Sequence, residues 1–521
     1  MKKFNVLGNC IPAENYMVDI SGKIEQIKKL IENKYYFTIN KARQYGKTTT
    51  LGILENAIQS EYIVASISFQ AVGYESFKSA DAFCEMFTEL IQESLEFAEI
   101  EESYTEQWVN KNVTSFRLLS KHITKMCKNK KIVLMIDEVD STSNNEVFIQ
   151  FLNTLREKYI ERRNGKGYTF HSVILAGVYD IKNIKLKMMN EGQYVPTEKE
   201  NKLYNSPWNI AADFEVDMSF NPLEIETMLQ EYDTDHNTGM NIREMAEEIY
   251  KYTSGYPFLV SRICQHIDEK LNQNWTTEEV RNAVKIILNE RNTLFDDVFK
   301  NLENNAELSE MIYDLLILGE IKPFIIDDPV VNIGTIYGFL KNTDDRIAIA
   351  NKIFELRMIN YYISKDFRKK KQVTGVFQND VVRDDKFDME LCLRKFAEYY
   401  GEIYNEDDRG FLERHGRLLF LSYLRPLING QGFYHIESQF TDLRRMDIVV
   451  DFGRQQFIVE LKLWKGEKAE EKAYEQLLGY METKKANTGY LLIFDFRLEK
   501  NKQRKVEWVD IDNKKIFEAI V

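Results

Sequence analysis

One stretch limits the fold more than any other: YYFTINKARQYGKTTTLGIL, residues 35–54. An apolar, β-branched run stops at a polar loop, and the loop ends in Gly46-Lys47-Thr48-Thr49 before a helical pattern resumes. A strand feeding a helix through so short a loop predicts a parallel sheet covered on both faces. The same corner aims backbone N–H groups, a lysine and a helix N-terminus at one point, which is what gripping phosphate requires. Gly46 admits close backbone approach, Lys47 supplies a point charge, and Thr48 offers a hydroxyl to Mg²⁺, with Thr49 completing the loop. The glycine expected five residues before Gly46 is Lys41 here, so the motif is only half complete.

The pattern recurs down the chain. YIVASISF (62–69), KIVLMIDEVD (131–140) and HSVILAGVYD (171–180) read as buried strands, and DFEVDMSF (213–220) as a fifth. SGKIEQIKKLIENK (21–34) sets Ile24, Ile27, Leu30 and Ile31 on one helical face, with Ser21 as its cap. Residues 78–130 and 148–163 read as further helices. The third strand ends in Asp137-Glu138. An acid there can hold Mg²⁺ through water, and its neighbour can polarise an attacking water. From Asn221 the pattern turns helical, with a stop and restart at Gly255-Tyr256-Pro257, so residues 221–295 are expected to form a lid.

KARQYGKTTTL, the DEVD strand end, SVILAGVYDIKN, SPWNIAADFEVDMSF and SGYPFLVSRIC together resemble the bacterial AAA-ATPase-like family, up to about residue 290. Arg43, Gly46, Lys47 and Thr48 match its degenerate R-x-x-GK-[ST] motif. The resemblance implies ATP and Mg²⁺ as ligands, Thr48 and Asp137 on the metal, and Glu138 as the base. The departure at Lys41 bears on hydrolysis more than on binding. Arg262 is placed like a sensor arginine on the lid, or is an ordinary surface arginine. Arg156, Arg162 and Arg163 are candidate fingers in trans, a role that requires a homo-oligomer.

A second constellation lies in RRMDIVVDFGRQQFIVELKLW (444–464). Asp447 opens one alternating strand, and Glu460 and Lys462 sit two apart on the next, hence on one face. FIVELKLW is apolar except at those two positions, where charge is costly without a purpose. Carboxylates that hold a metal, with a cation beside the attacking water, are what phosphodiester cleavage needs. A following helix carries Gln476 and Tyr480 one turn apart, and an earlier helix carries Glu413. This order resembles the PD-(D/E)XK nuclease superfamily over residues 390–521, with Met446 where its proline would stand. The resemblance implies that Asp447 and Glu460, with Glu413, hold Mg²⁺. Lys462 would orient water, and Gln476 would contact the nucleic-acid backbone or brace the site. His415 and His435 show no metal-ligand spacing and read as polar surface.

Residues 296–388 mix helices with a strand-rich middle, KPFIIDDPVVNIGTIYGFL, which suits a winged-helix module or an ordinary linker domain. KDFRKKKQVTGVFQNDVVRDDKFD (365–388) is the linker candidate, and its Arg368–Lys371 run is either a solvated turn or a phosphate contact. The net charge of −13 argues against broad coating of nucleic acid but not against a local site. Five scattered cysteines without a CxxC fit a reducing cytosol. No apolar run is long enough to span a membrane.

The expected architecture is therefore α/β in four parts. A P-loop, AAA-like core (1–220) with a parallel sheet is followed by a helical lid (221–295), a helical or winged-helix-like linker domain (296–388) and a restriction-endonuclease-like domain (389–521). The expected function is ATP binding and hydrolysis coupled to a Mg²⁺-dependent nuclease acting on nucleic acid, DNA first. The alternative is a nucleotide-dependent switch or nucleic-acid-binding protein with an inactive nuclease fold.

Overall fold

The computed structural model describes residues 2–109, 112–139, 146–177, 208–318, 320–369, 381–384, 386–403, 409–428, 432–438, 446–464, 467–495 and 505–521. The chain divides into two compact units, Met1–Ala283 with Gly334–Gly338, and Val284–Ile333 with Phe339–Val521.

In the first unit, β1 (Tyr36–Asn40), β2 (Ile63–Ser68), β3 (Ile132–Asp137) and β4 (Ser172–Gly177) form a parallel sheet in the order β1-β4-β3-β2. Every residue of β3 and β4 is buried, which is why both read as unbroken apolar runs rather than alternating ones. The core on one face gathers Tyr36, Leu134, Phe148, Phe151 and Trp208 with the helix Ala80–Phe97. Ser79 and Ser115 cap the helices Ala80–Phe97 and Phe116–Met126 by accepting the N–H of Ala82 and Leu118.

Two local expectations fail. Ser21 does not cap the helix Ser21–Glu32 with its side chain; instead Asp19 Oδ1 accepts the Ser21 N–H at 2.8 Å. Residues 213–220 form no fifth strand. Pairing is confined to one parallel bridge, in which the Ala212 N–H donates to the Tyr36 carbonyl at 2.8 Å. The alternation that suggested a strand is genuine, since Val216 and Met218 are buried, but packing rather than pairing covers it.

The helices Pro222–His236, Ile242–Thr253 and Pro257–Lys270 follow, as the helical pattern predicts. Asn221 and Glu224 form a reciprocal capping box on the first. Ser254 and Gly255 both take left-handed φ, 45° and 73°, between the second and third. At Gly255 only glycine fits: a Cβ would lie 1.9 Å from the Phe220 carbonyl oxygen. Phe220 in turn donates its N–H to the Gly255 carbonyl at 2.9 Å, so the backbones of these two segments touch directly.

In the second unit the helices Thr293–Asn304 and Ala306–Tyr313 lead into a π-helical turn, Asp314–Leu318. The segment expected to be strand-rich contains the helix Pro329–Ile336 instead, and strands begin only at β5 (Leu340–Thr343) and β6 (Arg346–Ile349). Asp328 Oδ1 accepts the N–H of Val330 and Val331 and starts that helix, which outweighs the β-branched residues after it. The β5–β6 hairpin turns through Asp344 and Asp345, both left-handed. Two aspartates at the tip make it a poor surface for nucleic-acid phosphate. The helix Lys352–Lys369 runs into the basic segment expected to be a linker; residues 370–380 lie outside those described. A minimal pairing of β7 (Val382–Arg383) with β8 (Lys386–Phe387) precedes the helices Met389–Ile403 and Arg409–Ile428.

The last sheet comprises β9 (Gly432–Ser438), β10 (Met446–Phe452), β11 (Gln455–Leu463), β12 (Thr488–Phe494), β13 (Lys505–Ile511) and β14 (Lys514–Ile520), ordered β13-β14-β12-β11-β10-β9. β9, β10 and β11 are antiparallel; β11, β12 and β14 are parallel. The helix Glu467–Thr483 covers one face through Ala473, Leu477 and Met481, against Ile458, Leu491, Ile493 and Ile516. Among the described residues no helix is long and apolar enough to cross a membrane.

Candidate functional site

The phosphate-binding loop is held open by backbone conformation. Gln44 and Gly46 adopt left-handed φ of 56° and 75°, and Gly46 is followed at once by the helix Lys47–Ile58. Lys47 is buried, and its ammonium donates to the carbonyls of Lys41 and Ala42 at 2.9 and 3.0 Å. The loop thus satisfies its own cation. The exposed Thr48 donates its hydroxyl to Asp137 Oδ2 at 2.6 Å, across from the loop at the end of β3. Asp137 Oδ1 accepts the N–H of Glu138 at 2.9 Å, and Glu138 sits at φ 54°. A glutamate in the left-handed region is strained, and such strain concentrates at functional sites. Thr49 Oγ1 accepts the Cys10 N–H at 3.2 Å. Arg43 is exposed, and its carbonyl accepts the Tyr256 hydroxyl from the lid. Lys41, standing where glycine is usual, lies with its ammonium near the Tyr45 ring. Burial lowers its pKa, and Asp217 opposes that.

Beside the loop lies a cavity of about 200 Å³. Leu7, Val18, Met218, Phe220, Met228 and Phe258 give it apolar walls, while Asn5, Cys10 and Ser261 add polar groups. Gly46 and Thr49 of the loop also line it. Burial pushes the Cys10 thiol pKa up, so it stays protonated. Sequence reading missed the N-terminal wall. A signal was present: Tyr16, Val18 and Ile20 alternate and are all buried.

In the C-terminal sheet, β10 and β11 pair with Ile448 opposite Val459. One residue further along the same register, strand positions 447 and 460 stand across from each other. Asp447 is also paired with Glu437 of β9. Glu460 is 1% exposed, and its Oε1 forms an ion pair with Lys462, which reaches partly to solvent. Among the described residues, Glu460 Oε2 and Gln476 Oε1 are buried and have no hydrogen-bond partner. Orphaned buried oxygens are rare and call for an explanation. Hard divalent cations such as Mg²⁺ take oxygen ligands of this kind, so the residues present fit one. No cluster of three acid, cysteine or histidine side chains forms among the described residues. The side chains of Asp447 and Glu413 fall outside them; Glu413 lies in the helix Arg409–Ile428, one turn before Arg417. The side chains of His415 and His435 fall outside them too.

Arg417 is a residue that sequence reading missed. Burial pushes its pKa down to about 10, and the charge of Glu460 opposes that shift. Its Nη1 donates to the Ile317 carbonyl at 3.1 Å.

Residues 14–355, well over half of the chain, match the AAA-like domain family. The chain belongs to that family. Residues 433–506 match the PD-(D/E)XK nuclease superfamily, so the AAA-like domain is followed by a C-terminal nuclease-superfamily domain. No curated protein matches the chain. Among solved structures it is similar to the Walker-type ATPase PABY2304 of Pyrococcus abyssi, at 11% identity and a TM-score of 0.46, over 68% of this chain and 99% of that one. It is also similar to the Aeropyrum pernix ORC2 protein in its ADPNP–ADP complexes, at 13% identity and a TM-score of 0.40, over 70% and 98% of the two chains. A third likeness is to the ORC1 protein of Aeropyrum pernix in complex with DNA, at 11% identity and a TM-score of 0.29, over 68% and 94%. Likenesses this distant assign no residue a role.

Within the AAA-like domain, the arginines separate by their contacts. Arg162 is no finger: it donates to the carbonyls of Phe170, His171 and Lys34 and lies over the Tyr36 and Tyr159 rings, stapling the sheet to a helix. Arg163 is exposed at the same helix end, and Arg156 is half-buried with a buried Nε that has no hydrogen-bond partner. Arg262 follows the cavity-lining Ser261 on the lid helix, and its Nη1 donates to Gln265 at 2.8 Å. In the nuclease-superfamily domain, Tyr480 belongs to the core beside Leu477 and Met481 rather than to an open site.

Proposed function

We propose that the AAA-like domain binds ATP with Mg²⁺ and that the C-terminal domain is a Mg²⁺-dependent nuclease, acting on DNA and licensed by the nucleotide. The observation that carries the nuclease reading is Glu460. A carboxylate at 1% exposure, paired with Lys462 through one oxygen and orphaned at the other, is costly. An unsatisfied buried polar group costs roughly 1–3 kcal/mol, so a bound cation is the natural compensation.

In this reading Asp447 and Glu460 hold the metal, with Glu413 available from the preceding helix. When bound, the metal polarises the scissile phosphate and lowers the pKa of attacking water. Lys462, tethered to Glu460, orients that water and accepts part of the charge developing on phosphorus-bound oxygen. Gln476 contacts the nucleic-acid backbone or braces the site. The strand left in place is fixed by the sheet, so these groups are preorganised.

At the nucleotide site, Lys47 would exchange the Lys41 and Ala42 carbonyls for the triphosphate, and Thr48 and Asp137 would hold Mg²⁺, which would neutralise phosphate charge. Arg43, Gly46 and Thr49 form the remainder of the grip, and Glu138 is the base for hydrolysis. The apolar cavity takes the base and ribose, which the nucleotide complexes of the Aeropyrum pernix ORC2 protein make a reasonable ligand class. The structure of the ORC1 protein with DNA makes DNA the first substrate to try.

The test is cleavage of duplex and single-stranded DNA, and of RNA, by the full chain with Mg²⁺ or Mn²⁺, with and without ATP. Cleavage that disappears in Asp447→Ala and Glu460→Ala, while ATP binding persists, supports the proposal. Nucleotide binding without cleavage of any substrate overturns its enzymatic half and leaves a nucleotide-dependent switch.

A further inference from the structure

In a chain of net charge −13, the edge of the parallel sheet that lies at the opposite strand ends from the phosphate loop gathers cations and rings. Lys34 and Tyr35 precede β1, Lys166, Tyr168 and His171 precede β4, Lys131 precedes β3, and Tyr62 precedes β2. Contacts join these positions. Arg162 donates to the Lys34 carbonyl at 2.6 Å and to the His171 carbonyl at 2.7 Å. The Ser172 hydroxyl donates to the Tyr35 carbonyl at 2.6 Å. The Lys131 ammonium lies over the Tyr62 ring, and that ring meets the His171 ring at 4.9 Å. Lys166 sits in the turn after the helix that carries Arg162, its N–H donating to the Glu161 carbonyl at 2.9 Å. Lys34, Lys131, Arg163 and Lys166 are exposed. Glu32 and Glu61 are exposed at this edge too. Beyond Lys131 the basic stretch ends where Lys130 covers the Tyr104 ring, beside Glu101 and Glu102.

A basic patch on one face is the electrostatic footprint of a phosphate backbone, whatever the charge of the rest of the chain. The rings narrow the choice of strand. Tyr35 and Tyr168 are 40% and 46% exposed on the loops that carry Lys34 and Lys166, and an exposed ring beside a cation is the stacking platform of single-strand binders. A duplex keeps its base faces stacked inside. A lipid surface would engage the lysines, but only a single strand also supplies planar partners for both rings. We propose that this edge binds single-stranded nucleic acid, with Lys34, Lys131 and Lys166 on its phosphates and Tyr35 and Tyr168 stacked on its bases. The strand and the nucleotide then occupy opposite edges of one sheet and do not compete. This inference rests on the reading of the chain as one that acts on nucleic acid.

The experiment is fluorescence anisotropy of a labelled oligo(dT) with the full chain in EDTA, over a KCl series. The variants are the triple Lys34→Gln, Lys131→Gln, Lys166→Gln and the double Tyr35→Ser, Tyr168→Ser. The triple should bind at least about tenfold more weakly and flatten the slope of log affinity against log salt by about 2, since each phosphate contact on a single strand contributes about 0.7. The double should also lose at least about tenfold, at roughly 1–3 kcal/mol per stacked base, with its salt slope unchanged. Wild-type affinity and slope in the triple overturn the proposal, as does displacement of oligo(dT) by saturating ATP. A triple that keeps oligo(dT) but no longer sediments with phosphatidylserine vesicles overturns it in favour of a lipid surface. If the variants do not fold, the wild type still decides: ultraviolet cross-linking should attach thymine to Tyr35 or Tyr168, and adducts confined to residues 389–521 overturn the proposal. A wild type that neither binds oligo(dT) nor cuts any nucleic acid removes the nuclease reading, and this inference with it. Cleavage that depends on Glu460, together with wild-type binding by the triple, removes this inference alone.

Discussion

The two sites solve opposite problems. At the phosphate-binding loop the side chains of Lys47, Thr48 and Thr49 are already engaged: Lys47 with two carbonyls, Thr48 with Asp137, Thr49 with the Cys10 N–H. At the nuclease-superfamily site, one buried oxygen each of Glu460 and Gln476 is left without a donor among the described residues. A ligand at the first site must replace bonds the protein makes with itself, so its affinity is a difference between similar terms. A ligand at the second fills a deficit. Substitutions should therefore trade binding against stability differently in the two places.

Glu460→Gln should have the largest effect. Cleavage should fall at least a thousandfold, while the melting temperature moves by only a few degrees because Lys462 can turn to solvent. Steady-state cleavage and a thermal melt check both halves; a large loss of stability would mean that Glu460 is structural. Lys47→Ala should weaken ATP binding about a hundredfold, the loss of a strong charge-assisted contact of roughly 2–3 kcal/mol. Fluorescent-nucleotide titration reads it, and intact binding would break the assignment of the loop. Thr48→Val should cost about tenfold in ATP affinity, near 1.4 kcal/mol, only when Mg²⁺ is present. An equal loss in EDTA would show that the hydroxyl serves the fold and not the metal. Gln476→Leu should have the smallest effect, a few-fold loss of cleavage with a slight gain in melting temperature as a buried orphan is removed. A drop in melting temperature there would show that the Gln476 amide is satisfied in solution and would narrow the contrast between the sites.

What the sequence disclosed follows from how local each feature is. The phosphate loop was legible because strand, glycine, lysine and helix must be contiguous to grip a phosphate. Glu460 and Lys462 were legible because two charges interrupt an apolar strand. The N-terminal wall of the cavity was not, since Val18 gains its meaning only beside Met218 and Phe258, far along the chain. Arg417 escaped for the same reason: its partner Ile317 lies about a hundred residues earlier in the chain. Tyr480, one turn after Gln476, packs into the core, since a spacing of four marks a core stripe as readily as a functional face. The fifth strand failed because alternation reports one buried face and says nothing about whether the backbone finds a partner. The strands β12, β13 and β14 went unremarked, although GYLLIF and KKIFEAI carry clear apolar runs.

The join at Gly255 has a consequence for size selection. Phe220 and Met218 stand on one jaw of the cavity and Phe258 and Ser261 on the other, and the two jaws meet where the Phe220 and Gly255 backbones touch. With no side chain between them to compress or rotate, that contact works like the rivet of a calliper. If that contact fixes the gap, bulk added to the base of the proposed nucleotide should be rejected by a step rather than by degrees.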